Sequence, residues 1–130
     1  MENGNESVTY NTIGYVRNAF DESGRGEQIR ASESRIVLNT DLAAGLQGLE
    51  PGQQVMVIFN LHRSHDFKLL QHPRGDRTRH LCGVFALHSP RRPNPIGVTV
   101  VELLSVNKNV LTVRGLDAFD GTPVLDLKSA

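Results

Sequence analysis

The segment from Gly83 to Gly97, GVFALHSPRRPNPIG, combines side chains that can bind a ligand with a backbone that cannot take up regular structure. Pro90, Pro93 and Pro95 fix their own φ angles and carry no N–H, and each biases the preceding residue toward an extended conformation. The result is a stiff ribbon that presents a hydroxyl, two guanidinium groups and a carboxamide. Gly97 has no side chain, so its backbone could approach a ligand closely. The segment predicts a ligand site, with a stiff crossover between strands as the alternative.

A second polar segment lies at residues 115–126, GLDAFDGTPVLD. Asp120-Gly121 is typical of a hairpin turn, whereas Asp117 and Thr122 display a carboxylate and a hydroxyl at strand ends. These groups can bind ribose hydroxyls, an α-amino group or a cationic centre. Taken alone, the segment is a weak signal for function.

Histidines and the single cysteine are scattered through residues 62–82. A zinc site built from His62, His65, His80 and Cys82 would have a spacing that fits no common ligand pair, so we predict that no metal is bound. Cys82 precedes an apolar run and is expected to be buried in the core. The sequence contains neither a nucleophile motif nor a phosphate-binding glycine loop, which argues against hydrolysis by covalent catalysis.

The net charge is zero, with 14 basic and 14 acidic residues, but the basic side chains are unevenly distributed. Between residues 63 and 92, basic side chains outnumber acidic ones by a wide margin. Such an excess can bind a polyanion, and a solvated arginine-rich loop is the alternative. The side chains predicted to contact RNA are Arg74, Arg77, Arg79 and Arg91.

Short β-branched and apolar runs predict a mainly all-β protein: a small single-domain β-barrel or strongly curved sheet with one short helix. A chain of 130 residues can bury one core without disulfides or metal. The helix is predicted to begin at Asp41 as N-cap, with Leu42, Leu46 and Leu49 at helical spacing. Residues 1–7 are predicted to be a flexible N-terminus and residues 8–130 the barrel domain. The predicted strands are residues 8–16, 35–38, 54–62, 67–70, 83–87, 98–106, 110–116 and 124–127.

The sequence has no secretory leader pattern and no apolar run near the roughly 20 residues that span a bilayer. One cysteine cannot form an internal disulfide. We therefore expect a soluble, cytoplasmic protein with no membrane contact.

Several segments taken together resemble the TrmO/TsaA-like family, and they span nearly the whole chain. The resemblance implies an S-adenosylmethionine-dependent methyltransferase with a β-barrel rather than a Rossmann-like fold. The activity that it implies is N6-methylation of threonylcarbamoyl-adenosine next to the anticodon of tRNA. The similar segments are Ile13–Arg17, Arg35–Leu38, Gly48–Glu50, Phe59–Ser64, His72–Asp76, Gly83–Gly97 and Asp117–Lys128.

The resemblance also implies a homodimer in which S-adenosylmethionine, the methyl donor, lies near the protomer boundary. Transfer of a methyl group from a sulfonium requires no obligatory base, since an exocyclic amine can lose its proton after attack. Asp117, Asp120 and His65 are unranked candidates for a residue that accepts this proton. The residues implied to contact the donor are His62, Arg63, Phe85, Ala86, His88, Arg92, Asn94, Val98, Leu116 and Asp117.

Two departures from the family keep other functions open. Leu87-His88 stands where the family usually has Thr-Arg, which replaces a permanent cation by a titratable one. Longer members also continue with a C-terminal domain beyond the position of Ala130. The alternatives are a small-metabolite methyltransferase that uses the same donor pocket and a non-catalytic barrel that binds RNA or senses the donor.

Overall fold

Period-two alternation of apolar and polar side chains governs the strands of this protein, because successive side chains of a strand point to opposite faces. The computed structural model of the chain describes residues 4, 6–20 and 31–130. The strands are β1 (Gly14–Arg17), β2 (Glu33–Leu38), β3 (Gln54–Asn60), β4 (Leu70–Gln71), β5 (Cys82–Gly83), β6 (Ile96–Asn107), β7 (Val110–Arg114) and β8 (Pro123–Ser129). Within these ranges, three 3₁₀ helices cover Thr40–Leu46, Pro73–Gly75 and Val84–Ala86.

Six of these strands close into an antiparallel barrel in the order β1-β2-β7-β6-β3-β8. Closure leaves none of the six strands with an unpaired edge. Strands β4 and β5 form a separate two-stranded ribbon that carries residues 72–81 at its tip. The predicted fold class, a small β-barrel, is confirmed.

The inward side chains of all six barrel strands form one apolar core. Strand β3 shows the pattern clearly, with Val55, Val57 and Phe59 buried and the residues between them half-buried. Removal of this apolar surface from water is the main force that holds the barrel together. The buried core residues also include Val16, Ile36, Leu38, Val101, Leu103, Leu111, Val113, Leu116 and Val124.

Three predicted strands differ most from the structure. The strand predicted at residues 8–16 begins only at Gly14, the first residue with a partner in both β2 and β8. The strand predicted at residues 83–87 ends at Gly83, because Leu87 N donates to Val84 O and closes a 3₁₀ turn. Only Leu70 of the strand predicted at residues 67–70 lies in a strand.

The predicted helix is present but is of the 3₁₀ type over Thr40–Leu46. Its N-cap is Asn39, which makes no capping hydrogen bond with its side chain, so the assignment of Asp41 as N-cap was wrong. Glycine at position 45 disfavours extension into an α-helix. Leu46 is the helix residue that is buried.

No helix in the described ranges has the length and apolar character needed to cross a membrane. The predicted flexible N-terminus lies mostly outside the described residues.

Candidate functional site

The proline-rich segment after Ala86 is a rigid loop without regular structure, as its sequence predicts. Its own side chains hold its shape. Arg92 Nη1 donates hydrogen bonds to the carbonyl oxygens of Leu87 and Ser89, at 2.9 and 3.1 Å. Ser89 Oγ in turn accepts a hydrogen bond from Arg91 N at 3.2 Å. The guanidinium group of Arg92 therefore organises the loop.

The segment after β3 fastens the proline loop to the barrel. Ser64 Oγ donates to Pro90 O, and Gln71 Nε2 donates to Arg91 O, both at 2.7 Å. The Arg91 guanidinium group donates to both carboxylate oxygens of Asp66, at 3.3 and 3.0 Å. These bonds, and the positive charge of Arg91, hold the pKa of Asp66 below its ordinary value. These contacts hold the proline loop against the segment that follows β3.

Two cavities adjoin at this end of the barrel and share a wall of Phe59, Leu61, His88 and Asp117. The first has a volume of about 510 Å³ and the second about 630 Å³, in the range of small-molecule sites. Residues that line only the first include His62, Arg63, Ser64, His65, Asp66, Pro90, Arg91, Ala118, Phe119 and Thr122. Residues that line only the second include Phe85, Ala86, Leu87, Arg92, Pro93, Asn94, Ile96, Gly97, Val98 and Thr99.

Nine of the ten residues implied to contact the donor line one or both cavities. His62 and Arg63 line the first, whereas Phe85, Ala86, Arg92, Asn94 and Val98 line the second. His88 and Asp117 line both. Leu116 is the exception, because its side chain is fully buried in the core.

The first cavity joins apolar walls to a few polar groups. Phe59 is the last inward side chain of β3, and Leu61 follows the strand. Phe119 packs under Arg63, whose guanidinium carbon lies 5.8 Å from the ring centroid. Burial, and next the positive charge of Arg63, lower the pKa of His62. A neutral imidazole, an oriented cation and the Asp117 carboxylate beside aromatic walls can bind a nucleoside that carries charged substituents.

The three candidates for accepting a proton lie in different surroundings. Asp117 lines both cavities, and His65 lines the first. Asp120 lines neither, because its carboxylate accepts a hydrogen bond from Asn18 N at 3.0 Å and stabilises the turn before β8. Geometry therefore favours Asp117 over Asp120.

The arginines predicted to contact RNA fall into two groups. Arg74, Arg77 and Arg79 are exposed at the tip of the β4-β5 ribbon and line neither cavity. Arg91 instead lines the first cavity and is paired with Asp66. The structure thus separates Arg91 from the other three.

Gly97 has a role that its sequence context did not indicate. A Cβ atom at this position would lie 2.5 Å from Phe59 Cε2 and 2.6 Å from Phe59 Cζ. Gly97 pairs with Phe59 in the register of β3 and β6. The missing side chain makes room for the Phe59 ring, which forms part of the wall between the cavities.

Two further expectations concern metal binding and the burial of Cys82. In the described part of the chain, no cluster of three or more His, Cys, Asp or Glu side chains is arranged to hold a metal ion. Cys82 was expected to be buried but is only half-buried, with Sγ 3.7 Å from His80 O. It lies in the β5 strand of the ribbon, outside the barrel core.

Sequence reasoning missed Ser64, Asp66 and Gln71, which fasten the proline loop. Ser64 belongs to a segment that the family resemblance covers, but no local pattern connects it with Pro90. Phe119 was also missed, although its place between Asp117 and Asp120 was a signal that it lies beside a polar site.

The lowered pKa of His62 gives an expected dependence of stability on pH. Because its pKa is lower in the folded state than the unfolded value of 6.5, the unfolded chain binds the proton more tightly. The stabilising contribution is fully present above pH 6.5 and is lost as the pH falls through the lower folded pKa. We expect His62→Gln to reduce the loss of thermal stability between pH 7.5 and pH 5. Thermal unfolding at both pH values is the measurement, and equal losses in the two proteins would contradict this role.

The structure is a small antiparallel barrel with two adjoining cavities of small-molecule size beside its proline-rich loop. The sequence pattern of the tRNA-methyltransferase O N-terminal domain matches residues 16–129, and the chain belongs to this family. The resemblance inferred from the sequence is therefore confirmed.

Solved structures agree with this assignment. Crystal structures of TrmO from Pseudomonas aeruginosa superimpose with TM-scores of 0.76 and 0.75, at 29% and 31% sequence identity. The alignments cover 99% and 96% of this chain but 57% and 56% of those chains. The chain thus spans a little more than half the length of these TrmO chains.

Curated relatives are named for the methyl donor. An S-adenosyl-L-methionine-binding protein of Archaeoglobus fulgidus is 38% identical over 119 residues, which cover 89% of this chain and 84% of the relative. A probable S-adenosyl-L-methionine-binding protein of Halobacterium salinarum is 44% identical over 124 residues, which cover 91% of this chain and 94% of the relative. The family uses S-adenosylmethionine, as the resemblance implied.

Proposed function

We propose that this protein is an S-adenosylmethionine-dependent methyltransferase that acts on tRNA and N6-methylates threonylcarbamoyl-adenosine next to the anticodon. One observation carries the proposal: two adjoining cavities bring His62-Arg63, the proline loop and Asp117 together in a chain of the tRNA-methyltransferase O family. Because this substrate is a cytoplasmic RNA, the proposal also assigns the protein to the cytoplasm.

The residues of the first cavity fit the chemistry of the donor. Phe59, Leu61 and Phe119 offer apolar surface for an adenine ring, and the Asp117 carboxylate can accept hydrogen bonds from ribose hydroxyls or an ammonium group. Arg63 can pair with a carboxylate. When bound, S-adenosylmethionine supplies an electrophilic methyl group on its sulfonium.

The shared wall is the proposed place of transfer. Asp117 and His88 line both cavities, so a donor that occupies the first cavity and extends across this wall toward Phe85 and Asn94 would meet the acceptor base there. The task of the chain is to align the acceptor nitrogen with the methyl group and to exclude water. Asp117 is positioned to accept the proton that the amine loses after attack.

An outward apolar face supports the proposal of a homodimer. Ile96, Val98 and Val100 of β6 are 43%, 53% and 46% exposed, and Met56 and Ile58 lie opposite them on β3. Contiguous exposed apolar surface of this kind is typical of an interface. Ile96 and Val98 also line the second cavity, so a second copy on this face would help to enclose the site. The proposed protomer boundary would then adjoin the second cavity, next to the wall that it shares with the first.

The tip of the β4-β5 ribbon is the proposed RNA contact. His72 Nδ1 lies 2.8 Å from Arg79 O, and Asp76 accepts hydrogen bonds from both the backbone N–H and the hydroxyl group of Thr78. These bonds order the backbone of the tip, so little backbone freedom is lost when its arginines bind. Arg77 lies between Asp76 and Thr78.

Replacement of Arg77 and Arg79 by alanine is expected to weaken binding of anticodon-arm RNA and to flatten its salt dependence. Loss of two phosphate contacts lowers the slope of log affinity against log salt by up to about two. Fluorescence anisotropy in a salt titration measures the slope. Donor affinity should stay unchanged, since neither side chain lines a cavity. An unaltered slope would exclude the ribbon tip as an RNA contact.

Two measurements test the proposed function as a whole. Calorimetry should show binding of S-adenosylmethionine in the micromolar range, about −7 to −8 kcal/mol. Mass spectrometry of tRNA from a deletion strain should show loss of the methyl group on threonylcarbamoyl-adenosine. Absence of donor binding would contradict the methyltransferase assignment. Donor binding with unchanged tRNA would favour methylation of a small metabolite instead.

A further inference from the structure

Two arginines face each other on the outside of the barrel, where β1 pairs with β2. Arg17 and Arg35 are directly opposite in the antiparallel register, and both are exposed. Like charges at opposed positions repel each other and destabilise a strand pair. The arrangement becomes favourable when an anion binds to both guanidinium groups, whose N–H donors match phosphate oxygens.

The carboxylates in the neighbouring row are paired with a different arginine. Glu33 lies 3.7 Å from Arg114, and Arg114 also lies 3.5 Å from Glu102. Within the ranges that the structure describes, no carboxylate forms an ion pair with Arg17 or Arg35. Glu33, the described carboxylate in this row that lies beside the opposed arginines, is thus paired with Arg114 and not with either of them.

The surroundings of the pair suit a nucleic acid. The guanidinium carbon of Arg17 lies 5.6 Å from the centroid of the Tyr15 ring, and this contact orients the side chain. One nitrogen of Arg17 donates to Val16 O at 3.3 Å, which leaves other N–H groups for a ligand. Arg17, Arg35 and Thr112, which lies opposite Arg35 on β7, line one groove of about 570 Å³. The carboxylates of Glu33 and Asp120 line it as well.

The groove and the first cavity lie on two sides of one chain segment. Asn18 lines the groove, and its Nδ2 donates to Ala118 O at 2.9 Å. Ala118 in turn lines the first cavity. The Asp120 carboxylate lines the groove but accepts a hydrogen bond from Asn18 N. A nucleic acid that reaches the cavities can therefore pass over this segment into the groove.

We propose that the outer surface formed by Tyr15, Arg17, Arg35 and Thr112, named here the arginine groove, binds backbone phosphates of the substrate RNA. These phosphates flank the nucleotide held at the cavities. The inference rests on the proposed function, because it takes the acceptor to be RNA. It adds a second RNA surface that lies outside the arginine-rich residues 63–92.

The test compares the double variant Arg17→Gln, Arg35→Gln with the wild type in a salt titration of fluorescent anticodon-arm RNA. Each lost phosphate contact lowers the slope of log affinity against log salt by about 0.7 to 0.9, so we expect a reduction of up to about 1.8. The matched control is Lys108→Asn, which removes a positive charge at the β6-β7 turn. Asparagine tolerates the φ of 57° at that position, and the slope should not change.

Two further measurements separate the outcomes. The double variant should unfold at the same temperature as the wild type or a higher one, because the repulsion is removed. Its affinity for S-adenosylmethionine, measured by calorimetry, should be unchanged. A wild-type slope in the double variant would overturn the arginine groove. RNA binding by the groove without any donor binding would support this inference and contradict the proposed methyltransferase.

Discussion

Replacement of Asp117 by asparagine is expected to weaken binding of S-adenosylmethionine about 10- to 150-fold, or about 1.5 to 3 kcal/mol. Asp117 lines both cavities, and its carboxylate can accept hydrogen bonds that a carboxamide accepts more weakly. The change keeps the shape and volume of the side chain, so the barrel should fold normally. Isothermal calorimetry of donor binding is the measurement.

The matched control is Asp126→Asn in strand β8. Asp126 pairs with Lys128 at 3.1 Å and lines a different cavity, next to the 3₁₀ helix of residues 40–46. The Asp126→Asn substitution removes the same charge from the same barrel, and donor affinity should not change. Equal effects of the two substitutions would show that net charge, and not the position of Asp117, controls donor binding.

A separate measurement distinguishes binding from chemistry at Asp117. If the carboxylate also accepts the proton of the acceptor amine, methyl transfer at saturating donor should be slower in the asparagine variant. A lower affinity with an unchanged rate at saturation would limit Asp117 to donor binding. His65, which also lines the first cavity, would then be the next candidate for the proton acceptor.

The parts of the fold that could be predicted are those that the alternation of apolar and polar side chains specifies. Strand β3 was recognisable because Val55, Val57 and Phe59 occupy one face in the sequence and in the core. The prolines likewise restrict the loop after Ala86 whatever surrounds it. In these segments, the local sequence and the tertiary structure favour the same conformation.

The errors arose where long-range partners decide the conformation. The apolar residues at 83–87 fit a strand, but Val84 N donates to Leu69 O and the chain turns into a 3₁₀ helix. Residues 8–13 fit a strand as well, although strand pairing begins at Gly14. No local pattern records which backbone groups will find a partner across the barrel.

The site residues could be predicted from the sequence only in part, for the same reason. Family resemblance located nine of the ten implied donor residues at the cavities, yet it could not separate Leu116, whose side chain is inward and fully buried, from its neighbour Asp117. Adjacent residues of an extended segment face opposite ways. The pairing of Arg91 with Asp66 joins residues that are 25 positions apart, so counting charges along the chain could not identify it.

Replacement of Gly97 by alanine should destabilise the barrel by roughly 1 to 3 kcal/mol and also weaken donor binding. The new Cβ would lie 2.5 Å from the Phe59 ring, which is only 3% exposed and cannot move into solvent without leaving the core. The ring must shift or the strands β3 and β6 must separate. Each kcal/mol corresponds to about 3 to 5 °C in the melting temperature of a chain of this size, which thermal unfolding can resolve.

The control for Gly97 is Gly83→Ala, at the end of the β4-β5 ribbon. Gly83 has a φ of −66°, and an added Cβ would meet no atom within 4 Å, so stability should be unchanged. Because Phe59 belongs to the wall between the cavities, a shift of its ring changes both of them. Gly97→Ala should therefore lower the stability of the barrel and the donor affinity together. Lower stability with unaltered donor affinity would mean that the donor does not contact the Phe59 wall.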